Sequence, residues 1–75
     1  MSVRFSGVII SYEEVNGEKA VYVQGSVNSK ETFYYLLLPS KLYEEYSKKG
    51  VGIMINGLGE IVSEKPLIIR VLRIE

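Results

Sequence analysis

Residues 31–50, ETFYYLLLPSKLYEEYSKKG, change their periodicity at Pro39. Residues 33–38 are a run of aromatic and aliphatic side chains, a composition typical of a β-strand. After Pro39 the apolar residues recur at helical spacing instead. This stretch therefore predicts a strand over residues 31–38 followed by a short helix over residues 41–49.

The ends of this helix carry their own signals. Ser40 is a residue type that often caps the amino end of a helix, and Gly50 is the type that most often follows the carboxyl end. Between them, Leu42, Tyr43 and Tyr46 share one face. We expect that face to pack against the strands.

Two strands precede this stretch. Residues 2–14 alternate, but the apolar residues change faces at about Gly7, which predicts a bend or bulge there. Asn16-Gly17 is a strong hairpin signal, and residues 19–27 follow as the second strand. A bent first strand that serves two sheets is what a small closed barrel requires.

Two strands also follow the helix. Residues 51–58 alternate and form the fourth strand, in which Gly57-Leu58-Gly59 predicts a bend or bulge. Residues 67–74, after Pro66, form the fifth. Strands do not alternate with helices here, so the pattern predicts an all-β fold with one short α-helix between strands three and four.

The order and spacing of these segments resemble the OB-fold family of five-stranded Greek-key barrels. The resemblance spans nearly the whole chain and is carried by the helix with its exit glycine, Gly50, and by residues 3–9, 37–39, 53–57 and 67–75. It is closest in pattern to anticodon-binding and single-strand-binding OB domains. It implies a single domain over residues 1–75, with a ligand face on strands two and three beside the loops joining strands one and two and strands four and five. An SH3-like barrel is the rival fold.

The residue types needed for most catalysis are missing. The chain contains no histidine, cysteine or aspartate, so no Ser-His-Asp triad and no common zinc site can form. Adjacent glutamates point apart in a strand or a helix, which applies to Glu13-Glu14 and Glu44-Glu45. We expect a binding module that is not an enzyme and needs no cofactor or metal.

Charge and hydropathy limit the partners. The net formal charge is zero, which counts against a protein that coats DNA through charge alone. The longest apolar run, residues 33–38, is far too short to cross a bilayer, and the first ten residues do not resemble a signal peptide. We expect a soluble cytoplasmic protein without a membrane partner. The abundance of glutamate and lysine is weakly typical of thermophiles.

Strand alternation predicts which side chains fill the barrel. Inward Val21 and Val23 would leave Tyr22 and Gln24 outside. The full predicted core is Val3, Val21, Val23, Phe33, Tyr35, Leu37, Ile53, Ile55, Ile69 and Val71, with Leu42 and Tyr46 closing one end. This assignment places Tyr34, Leu36 and Leu38 on the outer surface.

Outward tyrosines indicate one candidate function, the binding of single-stranded DNA or RNA. Tyr22 and Tyr34 would stack on unpaired bases. The polar and cationic residues that could accompany them are Arg4, Lys19, Gln24, Lys65 and Arg70. The alternative is that both tyrosines only cover neighbouring strands.

Outward leucines indicate a second candidate function. Leu36 and Leu38 cannot stack on bases, so together with Tyr34 they favour a protein interface. By family analogy, the leading hypothesis is a small accessory subunit of a DNA-handling complex, such as a polymerase or single-strand-binding assembly. Coverage of this stripe by the helix is the alternative explanation.

Overall fold

The computed structural model describes residues 2–75, which form five strands and one helix: β1 (Ser2–Val15), β2 (Glu18–Val27), β3 (Lys30–Leu37), α1 (Ser40–Ser47), β4 (Met54–Glu64) and β5 (Leu67–Ile74). The strands close into a barrel in the order β1-β2-β3-β5-β4. Neighbouring strands are antiparallel except β3 and β5, which are parallel. The predicted all-β, OB-fold-like barrel with a helix between β3 and β4 is confirmed.

Two-residue turns join the first three strands. Asn16 and Gly17 both have positive φ, 51° and 80°, and they connect the paired residues Val15 and Glu18. Such a turn matches the twist of an antiparallel hairpin, and Asn-Gly adopts it readily. The hairpin predicted at this position is confirmed.

The face switch in β1 lies further along the strand than predicted. The pairing of β1 with β2 shifts between Ile9 and Ser11, and Gly7 lies in unbroken register opposite Gly25. Glycine is required at position 7 for another reason, because a Cβ atom there would lie 2.5 Å from Cγ1 of Val23. The predicted bend is therefore a bulge at residue 10, and Gly7 allows close approach of β2.

Strand β4 starts later and ends later than predicted. Gly52 has a φ of 82°, which keeps residues 51–53 out of the strand. The pairing with β5 shifts between Leu58 and Gly59, which confirms the predicted irregularity, and β4 then continues to Glu64. Pairing with β5 thus extends the strand through a polar segment whose sequence resembles a loop.

The helix begins one residue earlier than predicted. Pro39 occupies the N-cap position, and no side chain caps the helix, so the prediction of Ser40 as N-cap is wrong. The helix ends at Ser47, two residues earlier than predicted, and Gly50, with a φ of 89°, lies three residues beyond that end. Proline fits this position because an N-cap residue has non-helical backbone angles and contributes its carbonyl oxygen, which accepts from the Tyr43 N–H at 2.9 Å.

One face of α1 closes an end of the barrel. Leu42, Tyr43 and Tyr46 pack against the core, which confirms the predicted plug by Leu42 and Tyr46. The Tyr12 ring meets Tyr43 edge to face at 5.5 Å between centroids, and its hydroxyl lies 2.7 Å from the Tyr46 carbonyl oxygen and 2.6 Å from that of Gly50. These contacts fix the helix to β1.

The core consists of Val3, Phe5, Ile9, Val21, Val23, Tyr34, Leu36, Leu38, Ile55 and Ile69. The predictions for β1, β2 and β5 hold at the centre of the barrel, where Val3, Val21 and Ile69 are buried. Ile53 and Val71 were also predicted to be core residues, but both are only half-buried.

The predicted inward and outward faces of β3 are reversed. Leu36 pairs with Val21 and Tyr34 pairs with Val23, so both share the inward face of those valines. The prediction that Tyr34, Leu36 and Leu38 face outward is therefore wrong. The prediction that Phe33, Tyr35 and Leu37 fill the barrel is wrong for the same reason: Phe33 is exposed and Tyr35 half-buried. Leu37 is buried, but in a separate cluster with Ala20 and Ile68.

Tyr34 is the largest fully buried side chain. Its ring meets Phe5 edge to face at 6.5 Å between centroids, and its hydroxyl donates a hydrogen bond to the Ser26 carbonyl oxygen at 3.2 Å. Burial raises the pKa of Tyr34 to about 12. Tyr34 therefore fills the barrel interior, and its hydroxyl, the one polar atom of the side chain, is hydrogen-bonded to strand β2.

Candidate ligand-binding face

The observed orientation of β3 changes which aromatic residues lie on the outer surface of the barrel. Tyr34 is only 1% exposed and cannot stack on a base, and the interface predicted for Tyr34, Leu36 and Leu38 is not at the surface. The half-buried Tyr22 and the exposed Gln24 lie on the outer face as predicted. Phe33 and Tyr35, which were assigned to the core, join them there.

Three aromatic rings adjoin on the outer face of β2 and β3. The Tyr22 and Phe33 rings stack at 5.8 Å between centroids, with 21° between their planes. The Tyr22 and Tyr35 centroids are 4.8 Å apart, with 44° between the planes. Gln24 pairs with Phe33 beside them. We call Tyr22, Gln24, Phe33 and Tyr35 the aromatic face.

Strand pairing explains how these side chains come together. Tyr22 lies directly opposite Tyr35, as Gln24 lies opposite Phe33, and alternate residues of a strand share a face. The Phe33 side of the cluster is open to solvent, since this residue is 49% exposed. The arrangement offers ring surface and one amide for binding.

An aliphatic group continues this surface onto β1 and β4. Val8 pairs with Gln24 on one side and with Met54 on the other, so a single row runs from Met54 to Phe33. Met54 is 62% exposed, and Val8 and Ile10 are also exposed. We call Val8, Met54 and Ile10, the exposed bulge residue two positions after Val8, the aliphatic row.

The arginines predicted to contact phosphate are both engaged in ion pairs. Arg4 pairs with Glu75, which also accepts a hydrogen bond from Arg73 at 2.8 Å. Arg70 binds both carboxylate oxygens of Glu18, at 2.9 and 3.2 Å. Hydrogen bonds from Arg70 hold the pKa of Glu18 below its ordinary value, and those from Arg73 and Arg4 do the same for Glu75.

Neither of the two predicted lysines makes a cation–π contact with a ring of the aromatic face. Lys19 carries its ammonium 5.5 Å from the centre of the Tyr43 ring, a cation–π contact. Lys65 is exposed in the connection between β4 and β5. The structure therefore brings Tyr22 and Gln24 together on the outer face, and two of the predicted cations, Lys19 and Arg70, line a common cavity.

A cavity of about 460 Å³ lies near one end of the face, at the junction of β2, β3, α1 and β5. Glu18, Lys19, Leu37, Ser40 and Arg70 are among its lining residues. It is therefore lined by two cations, one carboxylate and one hydroxyl.

Comparisons with protein-family models, with curated proteins and with solved structures found no significant match to this chain. The OB-fold likeness thus rests on its strand order and helix position. Within residues 2–75, no helix has the length and apolar character needed to cross a membrane.

Proposed function

We propose that this chain is a non-catalytic binding module that holds single-stranded nucleic acid by stacking bases on Tyr22, Phe33 and Tyr35. The observation that carries the proposal is the adjacency of these three rings on the outer face of β2 and β3. OB barrels bind oligonucleotides on this part of the barrel. The same proposal extends to DNA and RNA, because every base has a π-face.

Stacking energetics favour single strands over duplexes. A base on an aromatic side chain contributes about 1–3 kcal/mol, and only an unpaired base can offer its face to a ring. The net charge of zero and the ion pairs of Arg4 and Arg70 limit the attraction of phosphate to this chain. We therefore expect modest affinity with a shallow dependence on salt.

Fluorescence anisotropy with a labelled oligothymidylate of about ten nucleotides tests this function. Phe33→Ala should weaken binding by about fivefold to about 150-fold, which corresponds to the loss of one stacked base. Val51→Ala is the matched control, because Val51 is also exposed but lies outside the aromatic face. Circular dichroism verifies that both variants fold. Equal binding by wild type and folded Phe33→Ala would contradict base stacking.

The aliphatic row supports a second candidate function, docking onto a protein as a small accessory subunit of a DNA-handling complex. Val8, Ile10 and Met54 cannot stack on bases, yet they are exposed beside the aromatic face. Exposed apolar patches often mark protein interfaces. Both functions can coexist, since they use neighbouring strands. If the wild-type chain binds no oligonucleotide, docking is the function that this surface favours.

A further inference from the structure

The cavity beside the aromatic face is placed to receive a phosphate. Tyr35 pairs with Ile68, and two residues further along the same strands Leu37 pairs with Arg70. Two residues of a strand span about 7 Å. Arg70 therefore lies close enough to contact the phosphate of a nucleotide whose base stacks on Tyr35.

Glu18 already fills the anion position at Arg70. Its two carboxylate oxygens accept from two guanidinium nitrogens, at 2.9 and 3.2 Å. Arginine binds carboxylate and phosphate with this same two-pronged geometry. The side chains of Arg70 and Glu18 are 48% and 47% exposed, so solvent and competing anions can reach the pair.

We propose that Arg70, with Lys19 beside it, is a phosphate subsite for a strand bound on the aromatic face, and that Glu18 occupies this subsite until the strand displaces it. The inference rests on the proposed binding of single strands. In the free protein, the Glu18 carboxylate thus takes the place of the phosphate at Arg70.

The exchange can be measured through the salt dependence of oligonucleotide affinity. A phosphate that binds a free arginine releases a condensed counterion, and affinity then falls as salt rises. After it leaves Arg70, the Glu18 carboxylate stays tethered beside the bound strand, so the exchange changes the local charge little. Few condensed counterions are then released, and the wild-type contact adds little to the salt dependence.

Glu18→Gln removes this competition. We expect it to bind the labelled oligothymidylate more tightly than wild type at low salt. The slope of log affinity against log salt should steepen by about 0.7, so that the advantage shrinks roughly 2.6-fold between about 50 and about 200 mM salt. Glu45→Gln is the matched control, since it changes the net charge equally and Glu45 does not line the cavity.

The double variant Glu18→Gln/Arg70→Gln shows whether the gain acts through Arg70. We expect it to lose both the tighter binding and the steeper slope. The subsite is overturned if Glu18→Gln matches Glu45→Gln, or if the gain persists without Arg70, while Phe33→Ala still weakens binding. Absence of oligonucleotide binding by wild type and every variant would instead overturn the proposed function, and the subsite with it.

Discussion

Truncating Leu36 tests the orientation of β3, on which the candidate face depends. Leu36 is fully buried in the barrel core, and Leu→Ala at such sites costs about 2–5 kcal/mol. A 75-residue domain has a free energy of unfolding of about 4–11 kcal/mol. Each kcal/mol corresponds to about 4–8 °C in a domain of this size, so Leu36→Ala should lower Tm by roughly 8–40 °C.

Phe33→Ala is the matched comparison on the same strand. Phe33 is 49% exposed and its ring stacks on Tyr22, so its loss should cost about 0.5–1.5 kcal/mol, less than the loss at Leu36. Thermal and urea unfolding followed by circular dichroism measure both variants. If Phe33→Ala were as costly as Leu36→Ala, β3 would be paired one residue out of register and the aromatic face would not exist.

Two further predictions concern the barrel itself. Gly25→Ala should lower the free energy of unfolding in urea by about 1–3 kcal/mol. The Cβ atom of the alanine would overlap the Ser6 carbonyl oxygen and Cα of Gly7 in the adjacent strand. An unchanged midpoint of urea unfolding would show that β1 and β2 can separate freely. Raising the pH should destabilise the fold by about 2–3 kcal/mol through Tyr34. Burial raises the pKa of Tyr34 from 10.0 to about 12, so its contribution is complete below pH 10 and is lost between pH 10 and about 12. Tyrosinate absorbance combined with urea unfolding follows that loss, and stability independent of pH across this range would contradict the burial of the hydroxyl.

The turn between β2 and β3 explains why sequence reasoning reversed β3. The predicted strands, residues 19–27 and 31–38, leave three residues between them and do not fix the register of the hairpin. In the structure the turn has two residues, Asn28 and Ser29, both with positive φ, and Val27 pairs with Lys30. That pairing places Tyr34 opposite Val23. Because side chains alternate, an error of one residue transfers every member of the strand to the other face.

Short sequence signals were sufficient for elements that depend only on residues close in the sequence. The change of periodicity at Pro39 located α1, and Asn16-Gly17 located the first hairpin. The ion pair of Arg70 with Glu18 joins residues 52 positions apart, and no pattern along the chain connects them. Whether an arginine is free for phosphate depends on such distant pairing, so sequence could nominate Arg70 without revealing that its guanidinium is occupied.

The composition of β3 argues for a ligand independently of its register. A strand with one face in the core and the other in water normally alternates apolar and polar residues, whereas residues 33–38 are apolar on both faces. The barrel interior accounts for Tyr34 and Leu36, and the outer cluster with Ala20 and Ile68 accounts for Leu37. Nothing within residues 2–75 covers Phe33 to the same degree. Folding therefore explains most of this apolar run but not the exposed ring at its start, and that ring is the part of β3 that a bound base would cover.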